Sequence, residues 1–305
     1  MAQPSINQDA LAAVRIVLVA PAGPLNVGSV ARVMKNFGLS QLVLVNPQCD
    51  PLGAEALQMA VHADDILRAA RRVGTSPEAL VGCERAIATT ARARGFDAPL
   101  LLPDQILPTL LTQSNGQGKC NTAILFGPED RGLSNEELTY AQQFTKIPSS
   151  DNYSALNLAQ AVAVCCYELY RASLEPSSPR PSSLGASSAK ASNSTSASWQ
   201  SVSPTLQNAP SSAKQTKSTH SSTRSPAHKP KATLDELEGY YQHLQSLLLT
   251  VEYLYPHTAE SRMRKLRQLL HRAEPTSNEV ALLRGIIRQV EWAISNAQSA
   301  DTNQG

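Results

Sequence analysis

The chain has no apolar run near the ~20 residues that a bilayer-spanning helix needs. Its first residues also lack a basic stretch followed by an apolar core, so neither export nor a membrane anchor is expected. Cysteine is sparse: Cys49, Cys83, Cys120, Cys165 and Cys166 form no CxxC pair, and an odd count without metal-ligand spacing fits a reducing cytoplasm. The first 175 residues hold a single histidine, His62, outside every motif described below, so histidine-based proton transfer is not expected. His62, Asp64 and Asp65 stand close together, but no second ligand set accompanies them, and a solvated helix face is expected there rather than a metal. GxGxxG and Walker sequences are absent, which argues against a dinucleotide or P-loop site.

Charge is unevenly spread. Residues 1–175 hold 13 Lys+Arg against 16 Asp+Glu, residues 176–230 hold 6 basic and no acidic residues, and residues 231–305 hold 8 and 9. The first segment is therefore not basic, and affinity for nucleic acid would have to come from local clusters. An apolar content of 42% over 305 residues is enough to form a core, and the length allows two domains.

After a lead-in at 1–12, Val14–Ala20 is almost continuously apolar and β-branched, as in a central parallel strand. A Pro/Gly turn follows, with Asn26 at an expected helix N-cap and Val30, Val33, Met34 and Phe37 at helical spacing up to Gly38. Leu42–Val45 completes a βαβ unit. Residues 52–81 are expected to be helical with a break at Gly74, Arg85–Thr90 to be a strand, and 97–118 to be connection. Two further short runs, Thr122–Phe126 and Phe144–Ile147, end in Gly127-Pro128 and Pro148-Ser149-Ser150. A helix from about Leu156 to Tyr170 carries small apolar residues and should be buried on more than one side. Two Gly/Pro/Ser/Asn loops at strand ends describe a ligand crevice that offers backbone groups more than charge, which suits a neutral or zwitterionic, partly aromatic cofactor better than a polyphosphate.

Residues 176–230 contain 18 Ser and 7 Pro with Trp199 as the one aromatic, a composition expected to stay disordered as a linker. Beyond it, Leu234, Leu237, Tyr241, Leu244, Leu248, Val251 and Leu254 form an apolar stripe behind a Thr233…Glu236 capping box. Arg262–Arg272 forms a basic amphipathic helix, and a third helix starts near Thr276…Glu279, so a small bundle is expected over 231–298.

LNVGSVARVMKNFG (from Leu25), GPEDRGLSNEEL (from Gly127) and IPSSDNYSALNLAQAV (from Ile147) together resemble the three motifs of SpoU-class ribose 2′-O-methyltransferases of the SPOUT superfamily. Their order and spacing are most similar to the bacterial tRNA (cytidine/uridine-32) 2′-O-methyltransferases. The resemblance covers roughly 13–172 and resumes weakly in the C-terminal segment. It implies a knotted α/β domain with a parallel sheet over 13–175, tRNA as substrate, a homodimer, and S-adenosylmethionine as cofactor. It places the cofactor on Thr89, Thr90, Ala91, Gly127, Ile147, Ser154, Ala155 and Leu156.

The resemblance also makes Arg32 the catalytic arginine, oriented with the motif loops by Asn26, Glu129 and Asn157. A guanidinium keeps its proton, so the expected task for Arg32 is to pin the target phosphate and stabilise charge developing on the 2′-oxygen. Arg92 and Arg94 fall on a Thr-Ser-Ala-Arg-x-Arg stretch of the family and make a phosphate clamp. Arg262, Arg264, Lys265 and Arg267 on the basic helix are either a solvated face or further RNA contacts. The family commonly has Ser-Ser-Leu-Asn where this chain has Ser154-Ala155-Leu156-Asn157, which leaves any side-chain role at Ala155 in doubt. Ribosomal RNA as substrate, or an RNA-binding protein without catalysis, remain as alternatives.

Overall fold

Seven short strands, most of them apolar, pair in parallel in the order β3-β2-β1-β6-β4-β7-β5. The computed structural model describes residues 7–91, 99–111, 121–150, 152, 155–174 and 231–302. Arg92, Arg94 and Ser154 lie outside them, as does the expected linker 176–230. The elements up to the middle of the sheet are α1 (Gln8–Ala12), β1 (Val14–Val19), α2 (Pro24–Asn36), β2 (Gln41–Val45), α3 (Ala54–Ala60), α4 (Asp64–Ala69), β3 (Arg71–Val73), α5 (Ser76–Leu80) and β4 (Arg85–Thr89). Then come β5 (Leu100–Leu101), α6 (Pro103–Ile106), β6 (Thr122–Phe126), α7 (Asn135–Leu138), β7 (Gln143–Thr145) and α8 (Leu158–Ser173). Three longer helices close the chain: α9 (Leu234–Thr250), α10 (Pro256–Ala273) and α11 (Ser277–Thr302).

Alternation along the strands builds two cores. Ile16, Leu18, Leu44, Ile124 and Phe126 pack with Val30 and Met34 of α2 and Val162, Cys165, Cys166 and Leu169 of α8. Val17, Val19, Val43, Ala86 and Leu125 belong to the other core. Gly28 matters here because a Cβ on it would sit 2.1 Å from the carbonyl oxygen of Ala56, so only glycine lets α2 and α3 approach this closely.

Several local expectations change. The lead-in contains α1, which buries Leu11. Asn26 is not the N-cap of α2; Gly23 is, with Pro24 setting the first turn, and the Asn26 side chain is turned to another partner. The region 52–81 contains β3, whose Arg-Arg start hides it from an apolar reading. As an edge strand it can be polar, and Arg71 is used to bind the Glu78 and Ala79 carbonyls at 2.9 and 3.0 Å. The two-residue strand β5 is too short to show any period.

The C-terminal helices pack on one another, α9 against both α10 and α11, and they also share a buried cluster with one face of the sheet. Leu234, Leu237, Tyr241, Leu247 and Met263 belong to the same buried cluster as Val17, Val19 and Leu125. The Leu234 amide donates to the Cys83 carbonyl at 2.8 Å, and Asp235 accepts from the Gly82 amide at 2.9 Å. By contacts these helices and the α/β layers are one compact unit. Deleting 231–305 would therefore strip apolar cover from the α/β layers as well as remove charge.

Buried His271 sits in this junction, edge-on to Tyr241 at 5.9 Å. Burial, and then the nearby Arg267 cation, lower its pKa to about 4, against weaker opposing effects of Glu238 and a hydrogen bond to the Ala141 backbone. The unfolded ring accepts a proton near pH 6.5 and the folded one resists it. The contribution of His271 is thus complete above about pH 6.5 and declines as the pH falls toward 4, by at most on the order of 3 kcal/mol. Melting curves between pH 7 and 4 should show this loss in the wild type, and His271→Gln should flatten it.

Candidate active site

The C-terminal ends of β4, β6 and β7 surround a cavity of about 220 Å³, lined by Thr89, Thr90, Ala91, Phe126, Gly127, Ile147, Ala155 and Leu156 among others. All seven of the described cofactor candidates are thus in one wall; Ser154 lies outside the described residues. The strands set the spacing: the Thr90 amide donates to the Thr145 carbonyl at 3.0 Å, and Thr89 Oγ1 donates to the Leu125 carbonyl at 3.0 Å. Leu156 presents an exposed apolar side chain beside Ile147, and Glu129 and Asp130 add carboxylates to the same wall. Arg131 also lines this wall but is paired with Glu137, so the lining suits a partly apolar ligand that carries positive charge better than a polyphosphate.

A hydrogen-bonded chain ties the three motif segments together. Asn157 Nδ2 donates to Asn26 Oδ1 at 2.9 Å, and Asn26 Nδ2 donates to Glu129 Oε1 at 2.7 Å. Glu129 also accepts from the Ala22 and Gly23 amides, both at 3.1 Å. Partial burial works against the charged form of Glu129, but these donors together with its own amide outweigh it and hold its pKa below the usual carboxylate value. Asn157 in turn caps α8, its Oδ1 accepting from the Ala159 amide at 2.9 Å. Asn26, Glu129 and Asn157 were expected at one site, and here they touch.

Arg32 is exposed on α2 and is not part of the cavity wall. No hydrogen-bond or ion-pair partner engages its guanidinium among the described residues. The His62 cluster resolves into surface pairing: Lys35 reaches Asp65 at 2.8 Å and the His62 carbonyl at 2.7 Å, and Arg68 meets Asp64 at 3.3 Å.

The loop after β6 holds features not anticipated from the sequence. Gly132 has φ +68°, and Leu133 is buried in the wall. Arg131 grips Glu137 through both guanidinium nitrogens at 3.0 Å, while Ser134 and Glu137 form the capping box that starts α7. Ser134-x-x-Glu137 was the signal that could have revealed this. A side chain at Gly127 would not enter the cavity, because its Cβ would lie 2.2 Å from the Leu133 amide nitrogen and 2.3 Å from the Gly132 carbonyl carbon. Gly127→Val therefore breaks the loop, and substitutions at Leu156 probe the cavity more cleanly.

Of the basic candidates on α10, Arg262 and Lys265 are exposed, and Arg264 is half-buried and engaged. Arg267 does not present itself to solvent. It makes a two-pronged pair with Glu238, 2.9 Å for the longer contact, and lies 4.4 Å above the Tyr241 ring. The reason is helical spacing: Arg267 stands four residues from buried Met263 and four from buried His271, on the stripe facing α9. A larger cavity of about 400 Å³ lies between α9 and α11, lined by His243, Arg284 and Arg288, but none of the motif residues reaches it.

Residues 13–167 match the model of the SpoU rRNA Methylase family, and residues 235–303 match that of the tRNA methyltransferase TrmJ C-terminal domain. The chain belongs to the SpoU methylase family. Relatives within it include the tRNA (cytidine/uridine/adenosine-2′-O-)-methyltransferase TrmJ of Pseudomonas aeruginosa (strain UCBPP-PA14), 37% identical over 278 residues that cover 91% of this chain and 93% of that one. The tRNA (cytidine/uridine-2′-O-)-methyltransferase TrmJ of Klebsiella pneumoniae is 33% identical over 278 residues, 91% of this chain and 96% of that one. The crystal structure of TrmJ from Z. mobilis ZM4 superposes with a TM-score of 0.68 at 29% identity, covering 91% of this chain and 98% of that one. The parallel sheet with flanking helices is thus the SPOUT arrangement of this family.

Asn26 stands in the middle of the hydrogen-bonded chain, so its removal should unlink both neighbours. Asn26→Ala should cost about 1–2 kcal/mol in urea denaturation. Combined with Asn157→Ala the loss should be less than additive by roughly 0.5–1 kcal/mol, which a double-mutant cycle measures.

Proposed function

We propose that this chain transfers the methyl group of S-adenosylmethionine to a ribose 2′-hydroxyl of tRNA, at nucleotide 32 of the anticodon loop. The observation that carries the reading is the Glu129–Asn26–Asn157 chain, which gathers three separated motifs at the rim of one cavity. The names of relatives that span nine-tenths of the chain support tRNA and the 2′-oxygen. S-adenosylmethionine supplies a methyl group on a sulfonium cation. Phe126, Ile147 and Leu156 would hold its adenosine, and the backbone at Ala91 and Ala155 its polar edge. That contact needs no hydroxyl at Ala155, so the departure there is compatible with activity.

Arg32 stands outside the cavity wall and so works on the RNA side, gripping the target phosphate and stabilising charge on the 2′-oxygen. Arg92 and Arg94 follow β4 and extend that grip. Two copies pair through α2 and α8, where Leu25 and Tyr167 leave apolar surface exposed. Residues 13–175 carry the chemistry, residues 231–298 hold tRNA, and the enzyme works in the cytoplasm.

Purified protein with labelled S-adenosylmethionine should methylate bulk tRNA, with the label at a 2′-oxygen in the anticodon loop; label entering only ribosomal RNA, or no label at all, would refute the reading. Arg32→Ala should remove at least 99% of the transfer and leave cofactor affinity by calorimetry unchanged. Arg32→Lys should recover little, because a point charge does not reproduce a two-pronged grip. Leu156→Asp should behave in the opposite way, weakening cofactor binding tenfold or more.

A further inference from the structure

The turn between α9 and α10 exposes aromatic surface that the α/β site does not use. Leu254 is its anchor: 1% exposed, it joins the core, and its amide donates to the Leu248 carbonyl at 2.9 Å. Tyr255 is extended (φ −110°, ψ 147°), so the residues on either side of Leu254 turn outward. Tyr253 and Tyr255 are accordingly 60% and 51% exposed. Glu252, just before them, holds a left-handed φ of 57°, a conformation that is uncommon for a residue with a side chain.

The two rings are held rather than free. Arg262 Nη1 donates to the Tyr253 carbonyl at 3.0 Å, and its guanidinium lies 5.7 Å from the centre of the Tyr253 ring. His257 stacks on Tyr255, 6.0 Å between centres and 20° between planes. Exposed Lys265 follows further along α10, and carboxylates of Glu252 and Glu260 stand in the same segment. Planar rings beside guanidinium and imidazole are the chemistry that receives a nucleobase and its phosphate. Paired RNA keeps its base faces covered, which points to an unpaired nucleotide.

We propose that the Tyr253–Tyr255 turn is a stacking platform for an unpaired base of the substrate RNA, with Arg262 on the adjoining phosphate. This rests on the tRNA reading above and adds to it a second contact, remote in sequence from the methylation motifs. The guanidinium, already over one ring, is aligned before RNA arrives.

The test uses the full-length chain and three RNAs: tRNA, oligoadenylate and a blunt, fully paired duplex. Tyr253→Ala and Tyr255→Ala should each weaken tRNA and oligoadenylate binding roughly tenfold, leave the duplex unaffected and leave the salt slope unchanged. The Phe variants should bind like the wild type. Arg262→Ala should instead lower the salt slope for tRNA by about one. Alanine variants with wild-type affinity for tRNA, or with equal losses on all three RNAs, would overturn the proposal. So would Ala variants that become smaller in light scattering while binding RNA normally, since the turn would then be a contact between copies. Methyl transfer by the wild type, measured alongside, separates the two readings: its absence removes the enzyme assignment, whereas the platform is judged on binding alone.

Discussion

Glu129 holds in place backbone that the sheet alone would leave loose. Its carboxylate receives two main-chain amides from the β1–α2 turn and the Asn26 side chain, and Asn26 passes the constraint to Asn157. These groups are exposed or partly buried, where one hydrogen bond alone stabilises by about 1 kcal/mol. Joined in series they confine three turns that enter from different strands. The charged form of Glu129 is favoured by the same donors it positions, so geometry and ionisation support each other.

The division of labour follows from where strands end. Parallel strands put their carboxyl termini on one edge, and the order reverses around β1, β6 and β4, so the turns after β4, β6 and β7 meet. Those turns provide the cavity wall, while α2, rising from the turn after β1, carries Arg32 outside it. The cavity wall and the cationic side chain are therefore borne by different segments, and each can change without dismantling the other.

Much of this was readable because the governing interactions are local. Val14–Val19, Gln41–Val45, Arg85–Thr89 and Thr122–Phe126 are apolar runs closed by turn residues, and they became strands within a residue or two of their expected ends. Asn26, Glu129 and Asn157 could be named because each falls in one of the three motifs that carry the family resemblance. What escaped the sequence depends on tertiary partners. β3 is an edge strand whose Arg71 serves α5, and α2 starts at the Gly23 cap, ahead of Asn26, whose side chain is bonded to Glu129. Arg267 read as surface charge because the carboxylate that buries it, on Glu238, is twenty-nine residues earlier on another helix.

The shared core has a consequence for synthesis. Val17, Val19 and Leu125 emerge from the ribosome early, yet Leu237, Tyr241 and Met263, which belong to the same cluster, are made more than a hundred residues after β6. At 5–20 residues per second that interval is on the order of 10 s, during which apolar surface of the α/β layers goes without its final cover. The vulnerable species is thus the nascent chain, and a chaperone that holds apolar surface would be of most use in that window, before the last helices arrive.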